Sequence, residues 1–199
     1  PDKTKSPPIP RSINPLSDHC TLTESELDNH ARTIAIGDIH GCATELQTLL
    51  MQIRPQPEDT IIFLGDYIDR GPDSKTVVDT VMDLRKQCHV VPLVGNHEIM
   101  MLDAMQQPLM QSLWLQFGGQ QTLDSYATDL GGIPDDHLEF LSSCVPFYET
   151  EDHLFVHANC LPTTPLEQQD PQILLWTHLT DLPPQPHVSG KRIIVGHTP

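Results

Sequence analysis

A chain of 199 residues is long enough for one substantial hydrophobic core and short for two. Its apolar content of 38% and mean hydropathy of -0.27 are ordinary for a folded domain, and no stretch approaches the ~20 apolar residues of a membrane-spanning helix. The net charge of -16, with 11 scattered Lys and Arg, provides no basic stripe for a polyanion, so neither nucleic acid nor a membrane is expected as a partner.

The chain is expected to divide into a proline-rich arm, residues 1–31, and one domain, residues 32–199. The arm carries Pro1, Pro7, Pro8, Pro10 and Pro15, and a capping-box pattern from Thr23 to Glu26 predicts a short helix at its end. From Thr33 the pattern becomes strand, turn, helix, and repeats. Thr33 to Ile36 reads as a strand covered on both faces. Leu46, Leu49, Leu50 and Ile53 then fall at helical spacing, ended by Pro55 and Pro57. Thr60 to Leu64 predicts a second strand, Val77 to Leu84 a second helix, and His89 to Val94 a third strand whose Pro92 suggests an irregular or edge position.

Glu98 to Ser143 predicts helices broken at Gly118–Gly119 and Gly131–Gly132, with their Met and aromatic residues assigned to packing. Phe147 to Glu151 and Leu154 to Val156 predict a hairpin, Leu182 to Gly190 a loop, and Arg192 to Val195 a last strand. Five cysteines, Cys20, Cys42, Cys88, Cys144 and Cys160, include no Cys-x-x-Cys pair and read as free thiols of a reducing, cytoplasmic compartment. Cys42 and Cys160 are expected as small buried hydrophobes.

Each apolar run ends in metal-ligand chemistry: Asp38 and His40, then Asp66, then Asn96 and His97, then His157, then His197. Asp38 and Asp66 are 28 residues apart, and Asp66 and Asn96 are 30, close to one βαβ unit of ~30 residues. The strands are therefore expected to be parallel, with their ligands at one end of the sheet. Asp38 and His40 lie two apart, where extended backbone aims both to one side. Asp66 suits a bridge between two ions, since its two oxygens can bind separately. Mixed oxygen and nitrogen ligands suit Mn, with Fe or Zn as alternatives, better than Ca.

The blocks Gly37-Asp38-Ile39-His40-Gly41, Gly65-Asp66-Tyr67-Ile68-Asp69-Arg70-Gly71 and Gly95-Asn96-His97-Glu98 resemble the signature motifs of the phosphoprotein phosphatases, within the calcineurin-like metallophosphoesterases. Val156-His157-Ala158 and Gly196-His197-Thr198-Pro199 resemble the family's two later histidine motifs, in their bacterial and phage form. The resemblance implies an α/β sandwich, with two central sheets flanked by helices. It implies two divalent ions held by Asp38, His40, Asp66, Asn96, His157 and His197, and phosphomonoester hydrolysis of phosphoserine and phosphothreonine by metal-activated water. His97 would protonate the leaving alcohol, Asp69 would orient His97, and Arg70 with Asn96 would bind phosphate.

Two departures qualify it. Where many relatives carry a second phosphate-binding arginine, this chain has His178, expected to substitute for it when protonated. Relatives continue past the last histidine motif with further strands, whereas this chain stops at Pro199 and is expected to lack part of that sheet. The expected partner is a phosphoprotein or phosphopeptide, with phosphotyrosine and small phosphoesters as further substrates. Symmetrical hydrolysis of dinucleoside polyphosphates and a metal-binding module without turnover are the alternatives.

Overall fold

A computed structural model describes residues 31–198. The arm through His30, including Cys20 and the Thr23 capping box, lies outside the described residues, as does Pro199. Strands β1 (Thr33–Ile36), β2 (Thr60–Phe63) and β3 (His89–Pro92) form a parallel sheet in that order, with Ala35, Ile62 and Val91 in register. Side chains alternate across a strand, so Ile61, Phe63 and Val90 turn to one face and Ile62 and Val91 to the other.

The first face is covered by α1 (Ala43–Ile53), α2 (Ser74–Leu84) and the helical segment α3 (Asn96–Gln106), α4 (Pro108–Trp114), α5 (Gln120–Tyr126) and α6 (Asp135–Ser142). The α2 stripe Val77, Val78 and Val81 is wholly buried there, each contributing roughly 1.5–3 kcal/mol of transfer free energy. Asp73 caps α2 by accepting from the Thr76 N–H. The second face meets β4 (Phe147–Glu149), β5 (His153–Val156) and β6 (Arg192–Ile194), a sheet in that order, through Phe155, Tyr148 and Ile194. β4 and β5 are the predicted hairpin and β6 joins β5 in parallel. Leu154 and Val156 turn away from the first sheet onto α7 (Pro171–Trp176) through Leu174 and Leu175. The layers are helix, sheet, sheet, helix.

Several readings need correction. β1 is not covered on both faces: it is an edge strand whose Thr33 and Ala35 are exposed, because its apolar run holds only small or lone side chains on that face. Cys42 is half-buried at the start of α1, unlike buried Cys160. Met105, Leu113 and Phe117, assigned to packing by their spacing, are 41–49% exposed, while Trp114 is fully buried. Of the irregular and edge positions that Pro92 allows, β3 takes the edge, and the Val145 N–H donates to the Pro92 carbonyl at 3.0 Å beside it.

Candidate active site

The ligand-bearing loops leave the parallel strands in backbone that side chains ordinarily avoid. His40 (φ 47°), Asp66 (53°), Asp69 (72°), Arg70 (66°) and His197 (60°) are left-handed, and the other such non-glycine residues described, Arg54 and Ala127, are helix C-caps. Each such conformation costs of order 1–3 kcal/mol and persists only where surrounding contacts enforce it. The turn at His40 also replaces the extended geometry expected for Asp38 and His40. Both Ile39 and His40 donate their N–H to the Asp66 carbonyl, at 3.0 and 2.9 Å.

Glu98 enforces the turn at Asp66. It is wholly buried in the first turn of α3, and its carboxylate accepts four backbone N–H groups. Oε2 receives Asp66 and Gly95, both at 2.9 Å. Oε1 receives Tyr67 at 2.9 Å and Ile68 at 3.4 Å. One side chain thereby joins the Asp66 loop to the Asn96 loop. Gly95 is required by close approach: a Cβ there would lie 2.1 Å from Asp66 Oδ1.

These loops bring together donor atoms of five predicted ligands, His40, Asp66, Asn96, His157 and His197, while the carboxylate of the sixth, Asp38, meets a backbone N–H instead. His40 donates Nδ1–H to the Ile68 carbonyl at 2.9 Å and His157 donates its own to the Leu64 carbonyl at 2.7 Å, so both turn an Nε2 lone pair inward. Asp66 Oδ2 lies 3.5 Å from His40 Nε2 and 3.6 Å from His157 Nε2. Its Oδ1 accepts the His97 N–H at 3.1 Å, so a single oxygen, rather than one oxygen per ion, lies between the two imidazoles. His157 Nε2 also faces Asn96 Oδ1 at 3.0 Å and His197 Nδ1 at 3.1 Å. The Asp38 carboxylate accepts the His197 N–H at 2.9 and 3.1 Å.

This donor set fits a cation. The His157 lone pair points at the Asn96 carbonyl oxygen, an acceptor facing an acceptor, and His197 Nε2 is buried with no hydrogen-bond partner. Burial lowers the pKa of His40 and His157, and burial followed by the neighbouring His157 and His178 lowers His197 to about 4, so these imidazoles keep their lone pairs. Burial raises Asp66 to about 7, an anion short of positive charge. Ligand atoms of His40, Asp66 and His97 form one cluster, and those of Asp66, His157 and His197 a second sharing Asp66.

His97 is 1% exposed and its Nδ1–H donates to Asp69 Oδ2 at 2.7 Å. Arg70 bridges two histidines, donating Nη1–H to His40 Nε2 at 2.9 Å and Nη2–H to His97 Nε2 at 2.8 Å. A guanidinium only donates, so both ring nitrogens are acceptors and both histidines neutral in this arrangement. His178 is exposed at the rim, its ring 4.4 Å from that of His197. His137 and His187 are buried in structural hydrogen bonds to Tyr126 and to Ser189 and Thr164. Glu98 as the tie between loops escaped the sequence reading although it closes the third motif. Trp114 and Thr122, which donate to Asp69 Oδ2 and Oδ1 at 2.8 Å each, carried no local signal at all.

Residues 31–199 match the calcineurin-like phosphoesterase family model. Similar curated proteins are the symmetrical bis(5'-nucleosyl)-tetraphosphatase of Janthinobacterium sp. (strain Marseille), 31% identical over 65% of this chain and 44% of that protein, and serine/threonine-protein phosphatase 1 of Salmonella typhimurium, 38% identical over 47% and 42%. The chain thus spans less than half the length of these relatives. Among solved structures, a putative diadenosine tetraphosphatase superposes with a TM-score of 0.59 at 22% identity, covering 84% of this chain and 80% of that one. A protein serine/threonine phosphatase from Saccharomyces cerevisiae gives 0.51 at 17% identity, covering 74% and 52%; both likenesses concern the fold. With the five motifs, the two facing sheets and the converging donors, the family match means that this chain belongs to the calcineurin-like phosphoesterases.

Proposed function

We propose that the chain is the catalytic domain of a dinuclear phosphomonoester hydrolase acting on phosphoserine and phosphothreonine in proteins. The observation that carries this reading is the pairing of a cation-ready donor cluster with one guanidinium and one carboxylate-held imidazole on the same rim. Two divalent ions, Mn with Fe or Zn as alternatives, held by Asp38, His40, Asp66, Asn96, His157 and His197, would supply Lewis-acid stabilisation and acidify water.

The chain's own residues do the rest. Arg70 turns its guanidinium from the two histidines to the substrate phosphate, where its fork matches two oxygens, and Asn96 offers its side-chain amide beside it. His178 adds a proton donor at the rim when charged. Release by Arg70 frees His97 Nε2 to carry a proton, which passes to the leaving alcohol oxygen as the P–O bond breaks. Asp69 steadies the imidazolium through Nδ1–H. The incoming water supplies the new P–O bond and, through solvent, returns a proton to His97.

A second reading, symmetrical hydrolysis of dinucleoside polyphosphates, is favoured by the relatives and the superposed structure named for that activity. Against it, Arg70 is the single Lys or Arg among the described residues that hydrogen-bonds a site side chain, sparse compensation for a tetraphosphate. The test is a comparison of Mn-loaded protein on phosphoserine and phosphothreonine peptides, p-nitrophenyl phosphate and diadenosine tetraphosphate, with Asp66→Asn as control. Higher kcat/KM on the peptides is expected. Preference for the dinucleotide would replace the first reading by the second, and turnover of none, or none lost in Asp66→Asn, would remove both.

A further inference from the structure

Asp69 and Arg70 are consecutive left-handed residues, and the local hydrogen bonds, from Gly71 N–H to the Asp69 carbonyl and from Asp69 N–H to the Ser74 hydroxyl, leave the Arg70 N–H and the Asp69 carboxylate to be held from elsewhere. They are held by the helical segment some fifty residues onward. α4 ends at Trp114, and a kink over Leu115–Gly119, where Gly118 leaves helical backbone, carries the chain into α5. Gly118, at φ 113°, accepts the Arg70 N–H on its carbonyl at 3.1 Å, and a Cβ there would meet the Arg70 backbone nitrogen at 2.6 Å. Gly119 lies against the Trp114 indole so closely that a Cβ would fall 2.4 Å from the ring. The kink seats an indole and an arginine together.

What the segment delivers to the site is a set of donors for one carboxylate. Trp114, 0% exposed, donates Nε1–H to Asp69 Oδ2, the oxygen that also receives His97 Nδ1–H. Thr122, also 0% exposed, donates its hydroxyl to Asp69 Oδ1 at 2.8 Å and accepts the Asp69 N–H at 2.9 Å. Ser74, at the start of α2, completes the group at 3.0 Å from the Thr122 hydroxyl. The buried carboxylate therefore has a donor on each oxygen besides the histidine, which fixes its plane, and its free rotation is removed before His97 meets it.

We propose that Trp114 and Thr122 are positioning residues for proton donation by His97, acting through the Asp69 carboxylate that they orient. This rests on His97 being the acid of the proposed hydrolase. With both donors in place, Oδ2 lies in line with Nδ1–H and the Nε2 face is aimed at the departing oxygen. Without either, the carboxylate rotates, the imidazole follows, and the Nε2 proton misses that oxygen.

A misaimed acid matters most where the leaving group is a poor one. Serine departs as a strongly basic alkoxide unless protonated, whereas p-nitrophenolate departs readily without help, and a positioned general acid supplies ~10²–10⁴-fold. In the Mn-loaded protein, Trp114→Phe and Thr122→Val should lower kcat on a phosphoserine peptide about 10-fold or more and change p-nitrophenyl phosphate less than about 3-fold, with KM little moved. Thr122→Ser should restore the peptide rate. In the metal-free protein, the NMR signal of His97 Nδ1–H should broaden in both defective variants and stay sharp in Thr122→Ser. His97→Ala, run alongside, should show the same selectivity more strongly. If His97→Ala is selective and the Trp114 and Thr122 variants lower both substrates equally, or neither, the positioning proposal is overturned. If His97→Ala itself is unselective, the assignment of His97 as acid falls, and the positioning role with it.

Discussion

Glu98→Gln isolates the interaction that joins the two ligand loops. Whichever way the amide is turned, its NH₂ replaces an oxygen that accepts two backbone N–H groups: Asp66 and Gly95, or Tyr67 and Ile68. Two buried donors are then left facing a third. At roughly 1–2 kcal/mol per stranded donor the loss is about 2–4 kcal/mol, a large share of the ~5–15 kcal/mol that holds a typical domain. In a protein of this size it corresponds to roughly 5–15 °C in Tm. Burial and the nearby Asp66 raise Glu98 to about 7 while the N–H donors oppose the rise, so the measurement belongs near pH 8, where the carboxylate is ionised. Urea unfolding of the metal-free protein gives the stability, and calorimetric titration with Mn gives the affinity. Asp66 sits at φ 53° with its N–H on Glu98, so affinity should fall at least about 10-fold, the range for losing a group that orients a ligand. A loss below ~1 kcal/mol with unchanged affinity would refute the claim that this carboxylate holds the loops.

Asp59, buried against the Arg32 guanidinium, is lowered from 3.8 to about 2 chiefly by that hydrogen bond. A lowered carboxylate stabilises the fold above its unfolded pKa, so Asp59→Asn should cost about 2 kcal/mol at neutral pH, less any solvent screening of the half-exposed Arg32, with the difference vanishing as pH falls from about 4 to 2 in urea titrations. Gly95→Ala places a methyl where Asp66 Oδ1 lies, so Mn binding measured by calorimetry should be lost even if the protein folds. Mn at about 100 times its Kd should stabilise the wild type by ~2.7 kcal/mol in thermal unfolding, and a chelator should remove the gain. Asp66→Asn should show neither change. His178→Ala should weaken inhibition by inorganic phosphate a few-fold; identical inhibition would show that the rim histidine, beside His197, does not meet phosphate.

How much was legible depended on how local the cause was. The βα repeat was readable because its signals lie within a few residues: β-branched runs, helical stripes such as Val77, Val78 and Val81, and glycines that permit tight turns. The order of the motifs fixed which residues arrive at the strand ends. Burial was less readable, because hydrophobicity names candidates for the core without naming neighbours. Ala35 belongs to an apolar run yet lies on an exposed edge, and Phe117 belongs to a helical stripe yet is about half exposed.

The sequence by itself determined the chemistry available: carboxylates, imidazoles and an amide at the ends of parallel strands, a guanidinium beside them, and the family that such motifs mark. Only the tertiary structure decided how that chemistry is aimed. The left-handed turns at His40, Asp66, Asp69 and Arg70, the single Asp66 oxygen between two imidazoles, and the donors on Asp69 from residues 45 and 53 positions away all arise from long-range contacts. The physical reason is that a strained loop is held by what surrounds it. Glu98, Trp114 and Thr122 supply those contacts, and their partners became identifiable only when the helices had folded over the sheet.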